Sequence, residues 1–203
     1  MIVLFMRKET GEKIQTGIMC GSFNPLHMGH IMIADYMCVF ENLDEVWMVV
    51  TPRCPSEKSS DMADVAIRLD ILTRFWLRYQ HIHPCDIELR LSPPYYTINT
   101  IIALKEQHPD REFVLLLGED NWANFHYWYR SEQIRTEVPI LIYPRKDSKA
   151  DDNLPENVRK VNAPLIEISS TFIRNVVKEN KDIRSFLPVG EYEYLIENKI
   201  YNK

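Results

Sequence analysis

Apolar positions along the chain follow two alternating periods. Short runs of strand character occur at Gln15–Cys20, Val46–Thr51, Phe113–Leu117, Ile140–Tyr143 and Pro164–Ile168, with a weaker one at Ile87–Leu91. Between them lie stretches with helical spacing. His30–Phe40 places Ile33, Met37 and Phe40 on one face, Ala63–Tyr79 places Val65, Leu69, Leu72 and Trp76, and Thr97–Gln107 places Ile98, Ile101 and Ile102. Two helices close the chain, Thr171–Asn180 and Glu191–Asn198. Phe113–Leu117 is apolar at every position, as expected of a strand covered on both faces. Strand and helix alternating in this way predict an α/β fold built on a parallel sheet. Pro52–Met62 and Lys146–Glu156 are polar and read as surface loops.

Three polar clusters interrupt this pattern, and each follows the carboxyl end of a predicted strand or run: Gly21–His30 (GSFNPLHMGH), Gly118–Asn121 (GEDN) and Ile168–Arg174 (ISSTFIR). In open parallel sheets ligands bind outside the carboxyl ends of the strands. Clusters far apart in sequence can therefore converge on one site.

Length and composition narrow the picture. The 203 residues suit one domain, taken here as 14–203, with 1–13 as a frayed leader and 171–203 as a small C-terminal helical segment that opens on the third cluster. A net charge of −5 argues against a nucleic-acid or anionic-membrane partner, and any attraction for an anionic ligand has to be local. The apolar start at Met1–Met6 is too short to span a membrane, and its charge follows rather than precedes it, unlike a signal peptide. The four cysteines form no CxxC pair, so free thiols in the cytoplasm are expected. Cys20, beside the first cluster, is a candidate for thiol sensitivity.

The first cluster has the makings of an oxyanion site. Gly21 permits close approach of backbone to a ligand. His27 and His30, three apart at a helix entrance, can present both imidazoles on one side of the first turn, where free N–H groups and the positive end of the helix dipole also point. Gly29 removes a side chain that could block a phosphate. Other readings stand beside this one: a surface histidine without function, a metal pair lacking a third ligand, or a satisfied core histidine. In the third cluster Ser169, Ser170 or Thr171 is a natural N-cap. The same hydroxyls and amides could instead meet phosphate oxygens, with Arg174 arriving one turn later as a forked cation. Asp120 could accept from ribose hydroxyls or simply cap a turn. The aromatic run Trp122, Phe125, Tyr127, Trp128 and Tyr129 is either packing or a stacking face for a flat ring. The chain has neither GxxxxGK[ST] nor GxGxxG.

Taken together, GSFNPLHMGH resembles the (T/H)xGH signature of the nucleotidyltransferase superfamily, and ISSTFIR resembles its second phosphate motif. From about Thr16 onward the chain is similar to the bacterial nicotinate-nucleotide adenylyltransferase family, including DIELR (Asp86–Arg90), YTINT (Tyr96–Thr100), LGEDN (Leu117–Asn121), Trp128 and the closing FLPVGEYEYLIENKIY. The resemblance implies a Rossmann-like open, mostly parallel sheet. It also implies adenylyl transfer from ATP to nicotinate mononucleotide by direct in-line attack, in NAD biosynthesis. Mg²⁺ would be carried by the ATP phosphates rather than by protein ligands. His27, His30 and Arg174 would be the catalytic residues. Gly21, Ser22, Phe23, Gly118, Asp120, Ser169 and Ser170 would join them around ATP. Ser22, Phe23, Asn24, Lys58, Thr97 and Trp128 would surround the mononucleotide, Trp128 by stacking on the pyridine ring. Cys20 and Asn24 depart from the family pattern, which commonly has glycine and aspartate there. Alternative substrates are nicotinamide mononucleotide or another phosphorylated small molecule such as phosphopantetheine, and a catalytically silent nucleotide-binding module is the remote alternative. Homo-oligomerisation is compatible with each.

Overall fold

The computed structural model describes residues 11–53, 62–148 and 153–201. The expected leader lies almost wholly outside these residues, as do Lys58 and most of the loop that carries it. Six strands form one sheet in which every pairing is parallel, in the order β3-β2-β1-β4-β5-β6. They are β1 (Ile14–Gly21), β2 (Glu45–Val50), β3 (Ile82–Cys85), β4 (Arg111–Gly118), β5 (Ile140–Tyr143) and β6 (Val158–Lys160). The helices are α1 (Met28–Phe40), α2 (Val65–Phe75), α3 (Thr97–Gln107), α4 (Glu119–Ala123), α5 (Ser131–Glu137), α6 (Ser170–Lys178) and α7 (Glu191–Glu197). This is the expected Rossmann-like α/β sheet. Chain order reverses between β1 and β4, which opens a crevice at their carboxyl ends.

Period-two alternation divides the strand side chains between two cores. Met19, Met48, Val114 and Leu116 join α1, α2, α6 and α7 through Ile33, Met37, Ile71, Leu72, Ile173, Val177 and Leu195. Ile18, Val49, Leu115 and Leu117 join α3 and α5 on the other face through Ile98, Ile101, Leu104 and Ile134. Burial on both faces explains why the central strands read as near-continuous apolar runs.

Four expectations need correction. Ile87–Leu91 is not a strand: Ile87–Arg90 forms a turn of 3-10 helix, and the strand lies just before it, at Ile82–Cys85. Pro84 disguises that strand, but β3 is an edge strand paired only with β2, where a missing donor is tolerated. Pro164–Ile168 is not a strand either, because the place beside β5 is taken by Val158–Lys160. From there the chain crosses toward α1, and Ile166 packs 3.3 Å from where a Cβ on Gly29 would lie. On α1, Phe40 faces outward at 66% exposure while Ile33 and Met37 are buried. On α2 the expected stripe is rotated: the buried positions are Arg68, Ile71 and Leu72.

Arg68 explains that rotation. It is 1% exposed, and its guanidinium donates to the carbonyls of Ala63, Ser22, Thr51 and Pro52 at 2.6–3.0 Å. An arginine in the core thus fastens the segments leaving β1 and β2 to α2. Arg68→Met leaves several buried acceptors without donors, at about 1–3 kcal/mol each. Urea denaturation is expected to show a loss of roughly 3 kcal/mol or more. A loss below about 1 kcal/mol would mean that water satisfies those carbonyls equally well.

Candidate active site

The segment leaving β1 turns sharply, with Phe23 in the left-handed region at φ 43°, and enters α1 with His27 as the N-cap residue. Its carbonyls are held from behind. Beside Arg68 on Ser22, Arg174 Nη1 donates to the Asn24 carbonyl at 2.8 Å and the Ser170 hydroxyl donates to the Pro25 carbonyl at 2.9 Å. The third sequence cluster is therefore fastened directly to the first. Ser169 is the N-cap of α6, accepting from the Phe172 amide at 3.2 Å, so for this residue the capping role is realised.

His27 and His30 stack with ring centroids 3.7 Å apart, and Phe23 meets His30 edge-on at 5.0 Å. The His27 backbone N–H donates to His30 Nδ1 at 3.3 Å. That bond assigns the proton of neutral His30 to Nε2, which is left as a donor on the far side of the ring. Burial, followed by the nearby Arg145 guanidinium, lowers the His27 pKa to about 3. His30 is also held well below its ordinary value, by burial, then by His27, then by Arg145. Both imidazoles are thus neutral hydrogen-bonding groups in the ligand-free site. At Gly29 a Cβ would lie 3.0 Å from the His27 ring, so the glycine makes room for the stacked pair.

Arg145, which follows β5, is the site residue that sequence reasoning missed. It lies close enough to shift both histidines, sits over the Tyr143 ring at 5.1 Å and is 4.0 Å from Asp120. A Cβ on Gly118 would fall 2.4 Å from Asp120 Oδ1 and 3.1 Å from the Arg145 side chain, so this glycine is what lets the two approach the strand end. The only sequence signal was its place between a predicted strand and the stretch from Lys146 that read as polar loop. Among the described residues His27 Nδ1, Arg145 Nε and Arg174 Nε are buried without hydrogen-bond partners. The same holds for Glu88 Oε2 and both Glu191 carboxyl oxygens, but the three nitrogens come from the first cluster, the segment after β5 and α6, and an unsatisfied nitrogen donor is a group an anion can engage.

Gly21 ends β1 and Ser22 follows it into the same loop. Asn24 is fully buried, and its Oδ1 already accepts from the Ala63 amide at 3.0 Å and the Tyr201 hydroxyl at 2.7 Å. That oxygen is engaged within the protein by two donors. Thr97 and Trp128 lie on the other side of the sheet. Thr97 opens α3, whose N-terminus has no side-chain cap and no acidic residue in its first turn. Trp128 is half-buried against Phe125, with centroids 5.5 Å apart, and next to it Tyr129 stacks on Tyr96 at 4.3 Å. The DIELR and YTINT segments are joined by a buried bond from the Thr100 hydroxyl to Glu88 at 2.7 Å. Cys20 is partly buried, and desolvation, then Glu88, raises its thiol well above the usual value, so the reactive thiolate is disfavoured.

Among the described residues no three His, Cys, Asp or Glu side chains are grouped to hold a metal ion. No helix among the described residues is long and apolar enough to cross a membrane.

Residues 18–176 match the family described as cytidylyltransferase-like. The chain is 44% identical over 193 residues to the probable nicotinate-nucleotide adenylyltransferase of Bacteroides thetaiotaomicron, covering 95% of this chain and 96% of that one. It is 41% identical to the protein of the same name from Flavobacterium johnsoniae, covering 94% and 100%. A solved structure of the Plasmodium falciparum nicotinic acid mononucleotide adenylyltransferase complexed with NaAD superposes with a TM-score of 0.75 at 23% identity, over 93% of this chain and 97% of that one, which supports the fold.

Nuclear magnetic resonance of the ligand-free protein should show no titration of the His27 imidazole between about pH 5 and 8. A midpoint near the ordinary 6.5 would contradict the burial described here. Arg145→Gln should raise the His27 pKa. Linkage gives a matching stability signature. The unfolded chain binds a proton at this residue near pH 6.5 and the folded chain only near 3, so the stability contribution is complete above 6.5 and is lost as pH falls toward 3.

Proposed function

The chain belongs to the nicotinate-nucleotide adenylyltransferases, within the cytidylyltransferase-like family, and we propose on that premise that it transfers the adenylyl group of ATP to nicotinate mononucleotide, releasing pyrophosphate and forming nicotinate adenine dinucleotide for NAD biosynthesis. The observation that carries the reading is the crevice at the carboxyl ends of β1 and β4. There two stacked neutral histidines lie near the Arg145 guanidinium, Arg174 holds the Asn24 carbonyl of the same loop, and one nitrogen of His27 and one of each arginine are buried without partners. Residues 14–203 would act as one catalytic unit.

The attacking 5′-phosphate is already an anion, so the reaction needs no general base, and none is required of the histidines. The obstacle is repulsion. At roughly 4 Å and an effective dielectric near 20, each pair of unit like charges costs about 4 kcal/mol. Arg174 and Arg145 supply positive charge locally in a protein of net charge −5. The Nε2–H of His30 suits donation to the α- or β-phosphate as charge develops, and His27 with Arg174 would hold the departing pyrophosphate. The α1 N-terminus adds backbone donors. Gly21, Ser22 and Phe23 would wrap both substrates, Ser169 and Ser170 would flank the ATP phosphates, and Gly118 and Asp120 would face the ribose of ATP. Mg²⁺, bound to the phosphates, would neutralise part of their charge. Trp128 offers a half-exposed ring for the pyridine. The uncapped, acid-free start of α3 at Thr97 suits a carboxylate better than an amide, which favours nicotinate over nicotinamide. Lys58 is proposed as a further cation on the mononucleotide side.

Pyrophosphate release should be measured with ATP and Mg²⁺, offering nicotinate and nicotinamide mononucleotides in parallel; strong preference for the first is expected. Preference for the second would move the substrate assignment, and silence with both would turn attention to phosphopantetheine or a silent nucleotide-binding module. His30→Ala should lower kcat by on the order of 10²–10³ with the melting temperature kept. Retained turnover in a less stable protein would show the histidine to be structural. Trp128→Ala should raise KM for the mononucleotide on the order of 2- to 10-fold and leave KM for ATP nearly unchanged. Equal rises would remove the stacking role.

A further inference from the structure

We propose that Tyr201 is a positioning residue for the phosphate loop: its hydroxyl holds the Asn24 side chain inward and so fixes the turn that presents His27 and His30. The proposal deepens the adenylyltransferase reading and rests on it for its kinetic consequence.

Asn24 is a node of buried hydrogen bonds. It lies directly after Phe23, whose φ of 43° is an uncommon backbone state for a residue with a side chain. Such a state persists only where its surroundings over-determine it. Three segments supply that constraint. Arg174 donates to the Asn24 carbonyl at 2.8 Å, the Ala63 amide donates to Oδ1 at 3.0 Å, and the Tyr201 hydroxyl donates to the same oxygen at 2.7 Å. Ala63 stands at the entrance of α2 and Arg174 on α6, so the loop, both helices and the segment after α7 meet at this one buried asparagine.

Tyr201 is delivered to this position by an unusual route. Lys199 and Tyr201 both adopt left-handed backbone conformations, with φ of 51° and 72°. The chain leaving α7 is thereby turned back toward the loop, and Ile200 is buried in the core between them. Packing alone does not require a tyrosine here, since a phenylalanine would fill the same space. The hydroxyl adds a donor aimed at the loop. It remains a donor at working pH, because burial, then the neighbouring Glu191 carboxyl, raises the phenol far above its ordinary value, while Arg174 and Arg68 oppose this more weakly. Glu191 is itself fully buried, and burial keeps its carboxyl protonated well above the usual range. Arg68 and Arg174, the two arginines near Tyr201, are those that hold the Ser22 and Asn24 carbonyls.

The test is a double-mutant cycle with Tyr201→Phe, Asn24→Ala and the combination, with Asn24→Ser in place of Asn24→Ala if the latter does not fold. Tyr201→Phe should lower kcat about 10-fold, because a small displacement of the histidines weakens transition-state contacts, with both KM values within about twofold of the parent. The double variant should be no slower than the Asn24 variant alone, since the hydroxyl acts through that side chain. Independently of turnover, hydrogen exchange of the ligand-free Tyr201→Phe protein should be faster at amides 22–28 and unchanged in α3 and α5. Parental kcat in Tyr201→Phe, losses that multiply in the double variant, or unchanged loop exchange would each overturn the proposal. If the parent is silent with nicotinate mononucleotide, the adenylyltransferase reading fails, and the exchange measurement still decides whether Tyr201 orders the loop.

Discussion

The arrangement depends on how the carbonyl oxygens of residues 22–25 are held. A loop that must receive a polyanion cannot direct those oxygens at it, and buried carbonyls without donors are costly. Arg68 takes the Ser22 carbonyl, Arg174 takes that of Asn24 and Ser170 takes that of Pro25. Each donor comes from an element remote in sequence. With the acceptors engaged from behind, the amides and imidazoles at the start of α1 are left as the groups that face the crevice.

The electrostatics follow from this layout. The chain is acidic overall, and the positive charge of the site is concentrated in Arg174 and Arg145, while the histidines remain neutral. Arg145 contributes twice: it brings charge to the ends of β4 and β5, and it helps keep His27 and His30 unprotonated. A neutral imidazole with a fixed tautomer is a directed donor. The backbone bond from His27 to His30 Nδ1 does the fixing, so the first turn of α1 orients its own side chain.

The two faces of the sheet divide the labour. Residues fastened to α2, α6 and α7 shape the phosphate loop, whereas α3 and the aromatic turn beyond α4 shape the half proposed for the pyridine ring. Glu88 bonded to Thr100 ties the start of α3 to the segment after β3. The strand reversal between β1 and β4 brings the halves together.

The sequence by itself determined the α/β class, most of the central strands, α3 and the two closing helices, because buried strands and amphipathic helices carry their burial pattern in local order. It also marked the polar clusters that follow β1 and β4, the histidine pair standing out through its strand–glycine–helix setting, whereas the third cluster turned out to follow a crossing segment rather than a strand. It could not locate β3, because Pro84 is tolerated only at an edge, and whether a strand lies at an edge is a property of the assembled sheet. Pro164–Ile168 alternates like a strand but finds its place beside β5 already taken. The face of α2 was misread because its inward position is Arg68, an arginine made tolerable only by carbonyls from two other loops. The roles of Arg145 and Tyr201 were hidden for the same reason: one charge just before a polar stretch and one tyrosine after a helix acquire meaning only from what stands opposite them. Local patterning was legible because it follows from burial, a property each segment carries alone. The pairings across the crevice were decided by tertiary structure, because a hydrogen bond needs two partners and the chain writes them far apart.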